Sequence, residues 1–388
     1  MKRIYLDHYA TTPVHPEVLE AMLPYFKDKF GNPSSIHGFG REAKVALQEA
    51  REKVAQLLGV SSSEIFFTAG GTESDNLAVK GTAFANRNKG RHIVTSKIEH
   101  HAILESCKFL EKEGFTVTYL PVDSKGVVDP EDLRKAIQED TILVSIMYVN
   151  NEMGSIQPLE VISPIVKDKG IYLHTDAVQA AGKIPIDLRK LNADMLSLSG
   201  HKINGPKGVG AVYIRKGVRI TPWSHGGHHE RSRRAGTENI PGIVGFAKAA
   251  ELAFGDLDDQ NRHLKNLTET FYRKLVETVP DVILNGDLNS RAVNTLNLSF
   301  KGVEGESIIL SLDLKGVAVA SGSACTSGTL EPSHVLSAMG IAPEIAQGAI
   351  RFSFGRDNTM EDVEYVTGII PEIVNRLRSM SPLYAKGK

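Results

Sequence analysis

The runs Ile171-Tyr172-Leu173-His174-Thr175-Asp176 and Met195-Leu196-Ser197-Leu198-Ser199-Gly200-His201-Lys202 decide the fold. Each is a short apolar run that closes on a residue able to do chemistry, and the two lie about one strand–helix–strand unit apart. The same rhythm extends outward, from about Pro16 to Phe254. Apolar, β-branched runs recur at Ile65-Phe66-Phe67-Thr68, His92-Ile93-Val94-Thr95, Ile142 to Val149 and Gly210 to Ile214. Amphipathic stretches sit between them: Arg41 to Leu58, Glu73 to Asn86, Ala102 to Glu113, Pro130 to Gln138 and Leu159 to Asp168. This alternation predicts an α/β fold, with a mostly parallel sheet sandwiched by helices. Ligands of such sheets bind beyond the carboxyl ends of the strands.

After about Gly255 the rhythm changes. A long polar helix, Leu257 to Val276, precedes strands at Asn294 to Phe300, Val317 to Ala320 and Arg351 to Phe354. Helices at Glu304 to Leu314, Ser333 to Met339 and Met360 to Ser379 complete the pattern. The expected division is a large ligand-binding domain over 12–255 and a smaller α+β domain from 1–11 and 256–388.

The formal net charge of -1 favours neither nucleic acid nor an anionic membrane as a partner. Two cysteines, Cys107 and Cys325, make no disulfide framework and point to a reducing cytoplasm. No apolar run follows Lys2-Arg3 as in a signal peptide, and none is long enough to span a bilayer.

Lys202 follows an apolar strand at its carboxyl end. A lysine there is either a solvated loop charge or a Schiff-base amine, activated by burial and neighbouring cations. Asp176 ends the preceding strand and is by itself a common helix cap. Together the two can grip opposite sides of a pyridoxal ring, the carboxylate keeping the pyridine nitrogen protonated. Thr68-Ala69-Gly70-Gly71-Thr72-Glu73-Ser74 is a glycine turn opening a helix, suited to a phosphate or simply a tight turn. Ser199, His201 and Gln179 lie at strand ends that can converge there. His100, in Glu99-His100-His101, either packs or stacks on a ring and shuttles protons. Asn151, in Asn150-Asn151-Glu152, suits a turn or a ring-hydroxyl contact.

Cys325 lies among small polar residues and glycines, in Ser321-Gly322-Ser323-Ala324-Cys325-Thr326-Ser327-Gly328, which suggests an accessible nucleophile. Cys107, on an amphipathic helix, reads as structural. Arg351 is a candidate clamp for a substrate carboxylate, with Arg356 able to share or take that role. His225-Gly226-Gly227-His228-His229-Glu230 has donors but no zinc spacing, so no intrinsic metal is expected. Arg233-Arg234-Ala235-Gly236-Thr237-Glu238 looks like an anion-binding turn.

In order along the chain, these segments resemble the cysteine desulfurases of the NifS/IscS type, which have pyridoxal-phosphate fold type I. The resemblance spans nearly the whole chain and includes Phe30-Gly31-Asn32-Pro33-Ser34-Ser35, Gly71-Thr72-Glu73-Ser74-Asp75-Asn76, Ser199-Gly200-His201-Lys202 and Arg234-Ala235-Gly236-Thr237-Glu238-Asn239. It implies Lys202 as the cofactor's covalent anchor, Asp176 at the pyridine nitrogen, and His100 stacked on the ring. Gln179 and Asn151 are implied at the ring hydroxyl, and Gly71, Thr72, Ser199 and His201 at the phosphate. Thr237 is implied to reach the phosphate of a neighbouring subunit, Arg351 to bind the substrate carboxylate, and Cys325 to carry a persulfide.

The implied substrate is L-cysteine, and the implied acceptor an iron–sulfur scaffold of the NifU/IscU type, with which Cys325 can transiently share a cluster. The rival readings are a selenocysteine lyase, another enzyme of this cofactor and fold, and a non-catalytic sulfur carrier or scaffold. Three departures from the family pattern stand out: His8-Tyr9 near the substrate, Ala235 for a frequent serine, and the second histidine His101.

Overall fold

The computed structural model describes residues 3–321, 333–381 and 384. Cys325 therefore lies outside the described residues. The strands, in chain order, are β1 (Ile4–Tyr5), β2 (Ile65–Thr68), β3 (His92–Ser96), β4 (Thr116–Leu120), β5 (Thr141–Ser145), β6 (Tyr172–Asp176), β7 (Met195–Ser199) and β8 (Gly210–Ile214). Four more follow: β9 (Val282–Asn285), β10 (Thr295–Phe300), β11 (Val317–Ala318) and β12 (Ala349–Ser353).

Seven strands form one sheet in the order β2-β8-β7-β6-β5-β3-β4. From β7 to β4 every pair is parallel, whereas β8 runs antiparallel to both of its neighbours. The inner strands β5, β7 and β8 are buried at every position, as expected of strands covered on both faces. Helices Gly38–Leu58 and Ile240–Gly255 pack on one another on one face, over a core that includes Phe246, Leu196 and Leu198. Helix Gly71–Asn86 runs against β5 to β8 on the other face, and its Leu77, Val79 and Ala83 are buried.

A second sheet, β12-β10-β9, is antiparallel and has a hydrophobic core of its own. Phe271, from helix Leu257–Thr278, packs on Phe352 and Phe354 at ring distances of 4.9 and 5.4 Å. The strand β1 joins this core by pairing in parallel with β11, so Leu6 is buried beside residues remote in sequence.

Two sequence expectations change. The run Ile142 to Val149 is a strand only to Ser145. Beyond it the regular strand ends, although the Ile146 and Tyr148 amides still donate to the His174 and Asp176 carbonyls of β6, and Val149 bridges Ile156. The run at Val317 likewise stops at Ala318, with Ala320 forming an isolated bridge to Arg351. Among the described residues, no helix is long and apolar enough to cross a membrane.

Truncating Phe271 to alanine empties the centre of the second core. The expected cost is about 3–5 kcal/mol, measured as a lowered urea midpoint.

Candidate active site

One cavity of about 290 Å³ opens at the carboxyl ends of the parallel strands. Its walls include His100, Asn151, Asp176, Gln179, Ser199, His201, Lys202 and Arg351, with Gly71 and Thr72 at one end. The β6–β7 register sets Asp176 beside Ser197, and Lys202 follows β7 directly. Lys202 Nζ donates to the carbonyls of Tyr9 and, at 2.9 Å, Ala10. Asp176 Oδ1 accepts from the Val178 amide at 2.8 Å.

Gln179 is held at both ends of its amide. Its Nε2 donates to the Tyr9 carbonyl at 3.0 Å, and its Oε1 accepts from Lys183 Nζ at 3.0 Å. Asn150 spends its side chain on the turn: it donates to the Ile98 carbonyl and accepts from the Glu152 and Met153 amides. Asn151 Oδ1, by contrast, is buried without a hydrogen-bond partner. Arg351 is anchored by Asp7 Oδ1 at 2.8 Å and the Asn151 carbonyl at 2.9 Å, while its Nε has no partner. Arg356 lies outside this cavity and faces Asp256 at 3.6 Å.

The turn before helix Gly71–Asn86 is built for close approach. Gly70 has φ 153°, a conformation that favours glycine, and a Cβ on Gly71 would lie 2.7 Å from Val178 Cγ2. The first amides of this helix thus open toward the cavity.

Burial dominates the electrostatics. It raises the Asp176 carboxyl to about 6, opposed by the Val178 amide and the Lys202 charge. It lowers His100 to about 4, with Lys202, His101 and His334 acting in the same direction. His100 is therefore neutral near pH 7. Its Nδ1 accepts from the Ala102 amide at 3.1 Å, so the ring proton sits on Nε2. Burial and the Lys202 charge also bring Lys183 down to about 7.

The Aminotransferase class-V family pattern matches residues 4–366. The chain belongs to this family. It is similar to the cysteine desulfurase IscS of Methanosarcina thermophila, at 56% identity over 385 residues, 99% of this chain and 95% of the relative. It also resembles a solved NifS-like protein, with a TM-score of 0.92 and 46% identity, over 97% of this chain and 100% of that one. The solved structure of SspA in complex with cysteine matches with a TM-score of 0.81 and 36% identity, over 92% and 100% of the two chains.

In this family member the cavity also holds Asp75, Met147, Ala10 and Val178, which strand-end reasoning did not single out for it, and Tyr9, which the family resemblance had set near the substrate. Asp75 sits four residues past Gly71 on the same helix face, which was a usable signal. Its carboxyl is buried and lifted well above the usual range, first by burial and then by the Asp176 charge. Tyr9 is buried with its hydroxyl unpartnered, whereas its neighbour His8 lies outside the cavity. Thr237 is exposed and does not line its own chain's cavity. Cys107 is fully buried, and burial pushes its thiol up, against nucleophilic use.

Glu99 supplies a pH test. Burial raises its carboxyl to about 8 from an ordinary 4.5, so the folded chain holds the extra proton across that window. Stability from this group is full below about 4.5 and is lost as pH rises toward 8. Glu99→Gln keeps an acceptor for the Ser96 hydroxyl and the Met147 amide. The variant should gain roughly 3–4 kcal/mol relative to wild type as pH rises from 5 to 8, read from urea midpoints.

Proposed function

We propose that the protein is a cysteine desulfurase that moves sulfur from L-cysteine onto Cys325, using pyridoxal 5′-phosphate. One observation carries the reading: buried Asp176 and half-buried Lys202 face a single cavity that has a glycine-rich helix start at one end and Arg351 in its wall. The lining fits the cofactor. Asn151 Oδ1 and the Tyr9 hydroxyl are buried polar atoms without partners, and a Cβ on Gly71 would collide with Val178 Cγ2 and touch Ser199. The relatives' names, and the cysteine complexed with SspA, support the substrate.

When bound, the cofactor supplies an electron-withdrawing ring that stabilises negative charge at the substrate's Cα. The Asp176 carboxylate keeps a proton on the ring nitrogen. Gly71, Thr72, Ser199 and His201 bind the phosphate, and Gln179, through its second amide hydrogen, contacts the ring hydroxyl together with Asn151. Arg351, preset by Asp7, offers Nε to the substrate carboxylate. Lys202 Nζ carries the Cα proton, and His100 Nε2 handles thiol protons. Cys325 attacks the substrate's sulfur: an S–S bond forms, the Cβ–S bond breaks, and protonation of the carbon fragment yields L-alanine.

A second copy of the chain completes the site. Leu23, Phe26, Phe30, Ile36 and Phe39 are exposed apolar residues close in sequence, with Ile36 at 91% exposure and the Phe30 and Phe39 rings stacked at 5.5 Å. Burying them against another copy removes them from water. A wider cavity of about 730 Å³ shares Gly71, Thr72, Ser199 and His201 with the cofactor cavity and leaves room for the partner's Thr237 beside the phosphate. The reading extends to a cytoplasmic enzyme that hands sulfur to an iron–sulfur scaffold, supported by the relatives named IscS.

The test uses purified protein and L-cysteine. Wild type should give equal alanine and Cys325-bound persulfide. Lys202→Ala should lose the visible absorbance, while Cys325→Ser should keep it and lose sulfur transfer by about a thousandfold or more. Pyruvate as product, or wild-type sulfide release from Cys325→Ser, rejects the reading.

A further inference from the structure

Glu230, Arg231 and Ser232 are three consecutive non-glycine residues with φ of 44°, 55° and 63°. Side chains disfavour this left-handed backbone, and a run of three persists only where the surroundings impose it. The restraint here is a buried ion pair. Arg51 grips the Glu230 carboxylate through both Nη atoms, at 2.7 and 2.8 Å, with side-chain exposures of 6% and 2%. The same pair satisfies the open edge of β2, the outermost strand of its sheet. Glu230 accepts from the Phe67 amide at 3.0 Å, and Arg51 donates to the Ile65 carbonyl at 2.8 Å. The outer edge of β2, whose other edge pairs with β8, is thus capped by two side chains.

The segment beyond the pair is held as well. Arg231 donates to the Ser63 carbonyl at 3.0 Å, and Gly236 donates to His229 Nδ1 at 3.2 Å. Thr237 comes next and lines neither of the two cavities at its own chain's site.

We infer that the Arg51–Glu230 pair is a positioning clamp that presents Thr237 to the phosphate site of a second copy. This rests on the two-copy site proposed above. Arg51 and Glu230 touch no reacting atom. Their role is to fix the direction in which the strained segment leaves the edge strand. A clamp of this kind acts across the dimer, so its loss should be felt in the other copy's site.

The experiment uses cofactor-loaded mixed dimers assembled from two differently tagged copies. One copy carries Lys202→Ala, so only the other holds the cofactor covalently. Release of that cofactor into an aldehyde trap is followed by loss of visible absorbance. The clamp is removed by the double change Arg51→Met with Glu230→Leu, which deletes both charges together and avoids a lone buried charge. On the Lys202→Ala copy, the double change should speed release roughly tenfold, the worth of one hydrogen bond to a charged oxygen. On the cofactor-holding copy it should leave release unchanged.

Equal acceleration in both arrangements, or none in the first, overturns the clamp. Thr237→Ala on the Lys202→Ala copy tests the underlying two-copy reading. If this change speeds release and the clamp variant does not, the clamp alone is wrong. If Thr237→Ala also leaves release unchanged, the shared site falls and the clamp with it. Should the double variant not fold, Glu230→Gln, which keeps an acceptor for the Phe67 amide, replaces it in both arrangements with an expected factor of roughly three.

Discussion

The rest of the structure is arranged around one electrostatic constraint: a buried carboxylate and a half-buried amine stand at the ends of neighbouring strands. Charge burial is costly unless partners are supplied. Asp176 finds the Val178 amide, and Lys202 finds the carbonyls of Tyr9 and Ala10. These carbonyls belong to the amino-terminal segment, whose β1 is paired into the second core. Satisfying Lys202 therefore pulls the two cores together. Gln179 holds the same segment through Tyr9, and Asp7 holds Arg351 from the second sheet. The cavity is the seam where these obligations meet.

The sheet and the cavity were largely legible because both follow from local patterns. Helix Leu159–Asp168 matches its predicted span, and β2 and β8 match theirs, since their apolar runs end at strong breakers. The residues at the ends of β6 and β7 converge because parallel strands place like ends together.

What escaped the sequence depends on contacts between distant segments. The strand β1 has two residues and exists only through β11. The half-exposed strands β4 and β9 lie at sheet edges and are short; β4 mixes threonines with its apolar residues, and the apolar run of β9 is only Val282-Ile283-Leu284. The reversal of β8 is a matter of pairing, which no single run reveals. Asp75 shows in the sequence only by its four-residue spacing from Gly71, because its helix is buried on nearly every side and a carboxylate there looks like an exception to a core pattern.

Burial also explains how so many ionisable groups can gather in and around one cavity near neutral pH. Asp176 is raised to about 6 and Glu152 to about 7, while Lys183 is lowered to about 7, each chiefly by desolvation. Acids pushed up and a base pushed down meet in the same narrow range. Each is thus held where a nearby charge decides its form. The neutral rings of His100 and His201, both brought to about 4, add donors and acceptors without adding charge. A negative charge entering beside the helix start would favour the protonated bases, and a positive charge beside Asp176 would favour its carboxylate. The site is thus a store of unexpressed charge, and a ligand with a negative and a positive end is the kind that draws it out.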